Sequence, residues 1–255
     1  MQPYLNDIAV RSPVPHEPAP GRAQTAWTPR GSEMSLRLRV GGRLRSARLY
    51  RGAADIGCGP LFVLLQDAPC GGSAVQAQAA RAFERWADVH GACVVHPAGL
   101  AGRWNDGRLH APSPARRLDV DDVGFVHALV AHLGPQRRSY AVGFGAGGHF
   151  VWRLAAQPDA PFAGFVSVGA NLARPGDCAF SIVRLGAPVL LLDDGSARPR
   201  LHERPTAETL AALRAAAAPG IAVRRGIAAE GIDLAAQIAG VFGEQAGASF
   251  VGSLL

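Results

Sequence analysis

The hydrophobic pattern changes character at Met34. Upstream, Pro13, Pro15, Pro18, Pro20 and Pro29 interrupt a polar stretch that has no period, which predicts a loosely ordered arm over residues 1–33. From Met34, MSLRLRV and RLRSARLY alternate apolar and polar positions around Gly41-Gly42, as two strands joined by a hairpin turn do. The run LFVLL at 61–65 has no polar position, so it predicts a strand buried on both faces. A helical spacing over 74–90 leads to a second buried strand at 92–96, then to a Gly-, Pro- and Arg-rich loop over 98–119. Asp119, Asp121 and Asp122 precede VGFVHALVAHL, whose apolar spacing is helical and whose start is acidic, as helix N-termini favour. Strand 139–144 runs through a glycine cluster into the helix HFVWRLAAQ. Strands at 164–170 and 188–194, a helix over 206–217, a strand near 221–225 and a helix over 233–242 follow. Strands alternating with helices after an opening hairpin define an α/β domain over 34–243, with residues 244–255 as a short tail. Its central sheet is expected to be mostly parallel, with an antiparallel N-terminal hairpin and helices on both faces.

Composition narrows the picture. With 255 residues, 48% of them hydrophobic, the chain can bury one sizeable core. The net charge is +6 and every basic residue is arginine, but the arginines are dispersed as pairs such as Arg116-Arg117, Arg137-Arg138 and Arg224-Arg225. No basic stretch is interleaved with aromatics, so nucleic acid is not an expected partner. Cys58, Cys70, Cys93 and Cys178 lack metal-ligand spacing and fit buried thiols or one or two disulfides. His90, His96 and His110 also lack ligand spacing, so neither a metal nor a cofactor is expected. No apolar run approaches the roughly 18 residues of a membrane span. With no signal peptide to be read either, the default compartment is the cytoplasm, an unconventional export route remaining open.

The chemistry lies in Gly143-Phe144-Gly145-Ala146-Gly147-Gly148. This turn fits GxGxxG, which cradles a pyrophosphate at a helix N-terminus. It also fits the GxSxG nucleophile elbow of α/β-hydrolases, with Gly145 at the serine position. A dinucleotide fold carries such a turn in its first βαβ unit, with an acid about 20 residues on. Here at least four strands come first and the next strand ends in Gly169-Ala170-Asn171, which favours the elbow.

The blocks LRVGGRLRSARLY, Gly59 to Leu65, Trp104-Asn105-Asp106-Gly107, Asp119 to Phe125 and Tyr140 to Leu154 occur in a familiar order. Between about Leu36 and Phe242 the chain resembles the polyhydroxybutyrate depolymerase and feruloyl esterase family of α/β-hydrolases. The resemblance implies that fold, and a serine, an acid and a histidine in that chain order. At those positions the sequence departs from the family. Gly145 stands for the serine, Arg198 falls where the acid is expected, and no histidine follows His202. Gln66-Asp67 replaces the His-Gly pair of the oxyanion loop, which puts a carboxylate where an anion would need stabilising.

The expected function is therefore that of a catalytically degenerate hydrolase-fold protein, binding a protein or a small acyl or aromatic ligand. Gln66, Asp67, Trp104, Asn105, Asp106, Phe144, Gly145 and Ala146 are its candidate binding residues. A carboxylic ester hydrolase using other residues is the alternative, and dinucleotide binding through GFGAGG a second one. His149, one helical turn past Gly145, and Asp194 are candidates for a displaced base and acid; Ser73 is a candidate surrogate hydroxyl. The simpler readings are a partly buried helix residue for His149 and turn bonding for Asp193 and Asp194. Asp121 and Asp122 resemble an acid/base pair, but their place at a helix start marks at least one as a cap.

Overall fold

The computed structural model describes residues 27–66, 74–111, 113–134, 136–194, 201–228 and 234–242. The elements are β1 (Ser32–Val40), β2 (Arg43–Arg51), β3 (Leu61–Leu65), α1 (Ala74–His90), β4 (Cys93–Pro97), α2 (Pro114–Arg117) and α3 (Asp122–Leu133). After them come β5 (Ser139–Phe144), α4 (Ala146–Ala155), β6 (Gly164–Val168), β7 (Val189–Asp193), α5 (Thr206–Ala216), β8 (Val223–Ile227) and α6 over 234–242. One eight-stranded sheet has the order β1-β2-β4-β3-β5-β6-β7-β8. The hairpin β1–β2 and its junction to β4 are antiparallel, and all other pairs are parallel.

The two-residue period of a strand sorts side chains onto two cores. Leu61, Val63 and Leu65 of β3 join the core under α3, α4 and α5, while Phe62 and Leu64 join the core under α1 and α6. Both faces are thus covered, which is why LFVLL tolerates no polar residue.

The fold begins earlier than the expected boundary at 34. The Arg30 backbone N–H donates to Asp88 (3.1 Å), Gly31 N–H donates to the Tyr50 hydroxyl (2.9 Å), and Trp27 packs edge-on to the Tyr50 ring. The expected loop over 98–119 contains the short helix α2. Its signal was present in Ser113-Pro114: the Ser113 hydroxyl accepts from Arg116 N–H at 3.1 Å and proline fills the first helical position. Strand β8 runs two residues beyond the expected segment, and Cys58, Cys93 and Cys178 are free thiols. Asp67, Ser73, Arg198 and the tail 244–255 lie outside the described residues. Among those described, no helix is long and apolar enough to cross a membrane.

Candidate functional site

The parallel strands β3, β5, β6 and β7 end on one edge of the sheet, and the glycine turn sits there between β5 and α4. Gly145 has φ +55° and ψ −114°, a left-handed conformation that strains any residue with a Cβ. Its N–H donates to the Val168 carbonyl (3.0 Å) and its carbonyl accepts from His149 N–H (3.2 Å), fixing the turn to β6 and to its own helix. The neighbouring glycines are packing requirements. A Cβ on Gly147 would stand 1.9 Å from the Leu65 carbonyl oxygen, and one on Gly148 would meet Ala170 Cβ and Ser167 Oγ at 2.8 Å. The start of α4 therefore lies directly on the ends of β3 and β6, and no phosphate is needed to account for the glycines. Strand, sharp turn and helix have the form of a nucleophile elbow, with no side-chain oxygen at its apex.

His149 is 2% exposed, more buried than its position on the helix suggested. Its Nε2 lies 2.7 Å from Oε1 of the equally buried Glu203, an approach off the axis of a hydrogen bond. His149 borders a cavity of about 290 Å³, at the small end for ligand sites. His149, Trp152 and Phe180 contribute to its wall, as do Arg108, Arg174 and Arg204. Arg108 forks onto Asp106 through Nε (3.0 Å) and Nη2 (2.7 Å). Arg174 and Arg204 use Nε to hold the carbonyls of Glu203 (3.3 Å) and Ala173 (2.9 Å), their Nη groups having no partner among the described residues. Cys178 lines the same cavity, and burial pushes its thiol up, opposite to the shift that activates a nucleophile.

Of the residues expected at the site, Asp106 and His149 reach this cavity; Phe144, Gly145 and Ala146 form the elbow beside it. The Trp104 indole is buried, stacked on Phe150 (4.9 Å between centroids, 3° between planes), and donates to the Gln66 carbonyl at 3.0 Å. A ligand could stack on Trp104 only by displacing this packing. Asn105 is spent on structure: its Nδ2 donates to the Val120 carbonyl (3.1 Å) and to Asp119 Oδ1 (3.2 Å). Asp121 caps α3 by accepting from Gly124 N–H at 2.7 Å. Asp122 is buried, paired with Arg45 at 2.6 Å, and accepts from Asn105 N–H at 2.6 Å. The two aspartates are therefore a cap and a loop anchor, not an acid/base pair. Asp193 is bound by Arg225 (2.7 Å), and the Asp194 carboxylate stands against Gly169, 2.3 Å from where a Cβ would lie. His96 bonds to Glu84 (3.0 Å) and His90 stacks on Trp86, whereas His110 stacks on His202.

Sequence reasoning missed Glu203, the three arginines and Cys178. Arg174-Pro175-Gly176 and the charge-dense Arg200 to Arg204 mark loops that sequence alone cannot place together. The link is tertiary: residue pairs Ala173–Glu203 and Arg108–Cys178 bridge as isolated β-contacts.

The fold is that of the α/β-hydrolases. Among solved structures the chain is similar to a lipase/esterase from Lactobacillus plantarum at TM-score 0.55 and 13% identity, covering 85% of this chain and 98% of that one. It is also similar to poly(aspartic acid) hydrolase-1 from Sphingomonas sp. KT-1 at TM-score 0.53 and 15% identity, covering 84% and 98%. At such identities the likeness establishes fold alone. Among curated proteins, the chain is 35% identical over 146 residues to "Putative esterase NocK" of Nocardia uniformis subsp. tsuyamanensis. That match covers 53% of this chain and 41% of the relative, so it spans well under half of NocK. No family model matches the chain.

Proposed function

We propose that this chain is a catalytically degenerate hydrolase-fold protein, related to the polyhydroxybutyrate depolymerase and feruloyl esterase group, that binds a small carboxylate-bearing acyl ligand. The observation that carries the reading is Gly145 at the apex of the elbow, where the serine mechanism needs an oxygen. The absence of any histidine after His202 and the arginine at 198 support it from the sequence. The ligand class follows from the cavity. Three guanidinium groups against one lining carboxylate favour an anion, and Trp152 and Phe180 offer an apolar wall.

One observation favours hydrolysis by other residues: the His149–Glu203 approach could orient a base at the cavity wall. A single set of measurements separates the readings. Hydrolysis of a short-chain nitrophenyl ester is followed for the protein, His149→Ala and Asp194→Ala, and calorimetry compares butyrate and benzoate with their amides. Rates equal to buffer, with binding of the acids but not of the amides, support the proposal. Saturable turnover that disappears in His149→Ala overturns it in favour of the hydrolase.

A further inference from the structure

The loops bordering the cavity bring together three residues whose sequence spacing suggested nothing. His110 follows β4, Asp177 follows β6, and His202 precedes α5; their ligand atoms all lie within 4.8 Å of one another. The loops are already laced by backbone bonds, Leu109 N–H to Asp177 O at 2.8 Å and Arg174 N–H to His202 O at 2.9 Å, so the cluster stands on a braced frame. One feature is unexplained by ordinary packing. Nδ1 of His110 is buried without a hydrogen-bond partner, which a native interior rarely tolerates. The imidazoles of His110 and His202 stack at 3.8 Å between centroids, which keeps their ring nitrogens close enough to share one ion.

We propose that His110, Asp177 and His202 bind one divalent transition-metal ion of the zinc class across these three loops. Two imidazoles and a carboxylate suit zinc or its neighbours and not calcium or magnesium, which prefer all-oxygen sites. Zinc bonds of about 2.0–2.1 Å set tetrahedral ligand atoms roughly 3.3 Å apart, so the ion draws the stacked rings out of parallel and closes the cluster. His202 and Asp177, at 37% and 32% side-chain exposure, can make that rotation and leave the fourth position open to water. Such an ion would tie the roofing loops together beside the ligand cavity, because Arg108 and Cys178, near neighbours of the ligands in the chain, line it.

The test titrates the metal-free full chain, without an affinity tag, with Zn²⁺ by calorimetry and with Co²⁺ by visible absorption. The variants are His110→Gln and His202→Asn, the latter because asparagine accepts the φ of +70° found at His202. His132→Gln, at the exposed end of α3, is the control. One equivalent should bind, each site variant should weaken binding about tenfold or more while keeping its near-ultraviolet circular dichroism, and the control should not change. No binding by the parent chain, parent-like affinity in both site variants, or loss in the control would overturn the assignment.

Discussion

Replacing Gly145 by serine tests the elbow and the missing chemistry together. At φ +55° a serine is strained by about 1–3 kcal/mol, while the bonds to Val168 and His149 involve only backbone and survive. Against a typical total of about 5–15 kcal/mol the variant stays folded. At roughly 2–4 °C per kcal/mol for a chain of this size, its midpoint falls by about 2–12 °C. The assay pairs a thermal melt with nitrophenyl ester hydrolysis. The expected result is a lower melting temperature and no turnover, because a hydroxyl gains little without a base and acid aligned on it. An unchanged midpoint would show that the turn is not strained. Saturable turnover abolished by a serine-directed phosphonate would show that a working base and acid stand at the elbow, refuting the degenerate reading.

Two further outcomes concern stability. Arg137→Met should cost up to about 3–5 kcal/mol in urea unfolding at pH 7, because it removes the two Nη bonds of 2.9 and 3.0 Å to the buried Asp55 carboxylate and leaves it the more distant Arg51, at 3.7 Å, as its cation. Burial alone would raise the Asp55 carboxyl, but Arg137, with Cys93 and the Gly57 N–H, holds it below the usual range. The stability this pairing gives is present above the unfolded carboxylate value of about 3.9 and is lost as pH falls through the lower native value. The deficit of Arg137→Met should therefore shrink in acid, and a deficit independent of pH would contradict the pairing. Gly147→Ala should destabilise beyond the usual overpacking cost of about 1–3 kcal/mol, since its Cβ meets a backbone oxygen. Gly148→Ala, which meets side-chain atoms, should stay within that range; equal effects in chemical denaturation would show that α4 is free to shift on the sheet.

What the sequence determined by itself is most of what depends on local period and turn chemistry, the short helix α2 with its Ser113 cap excepted. LFVLL reads as a strand covered on both faces, GG at 41–42 as the turn between two alternating strands, and 74–90 as a helix, and β3, the β1–β2 hairpin and α1 occupy those stretches. The missing serine and the missing late histidine are likewise plain in the chain, because an absent residue type needs no structure to be noticed. Only the tertiary structure decided what the polar residues do. Trp104 and Asn105 resembled site residues because they are aromatic or polar in a loop, and Asp122 because it adjoins a second carboxylate, yet contacts with Phe150, Val120 and Arg45 make all three part of the frame of that loop. Conversely, Glu203 reaches His149 across 54 residues of chain, and His110 meets Asp177 and His202 from three separate loops. Those encounters follow from how the sheet edge gathers its connections, and long-range proximity leaves no periodic mark on the sequence.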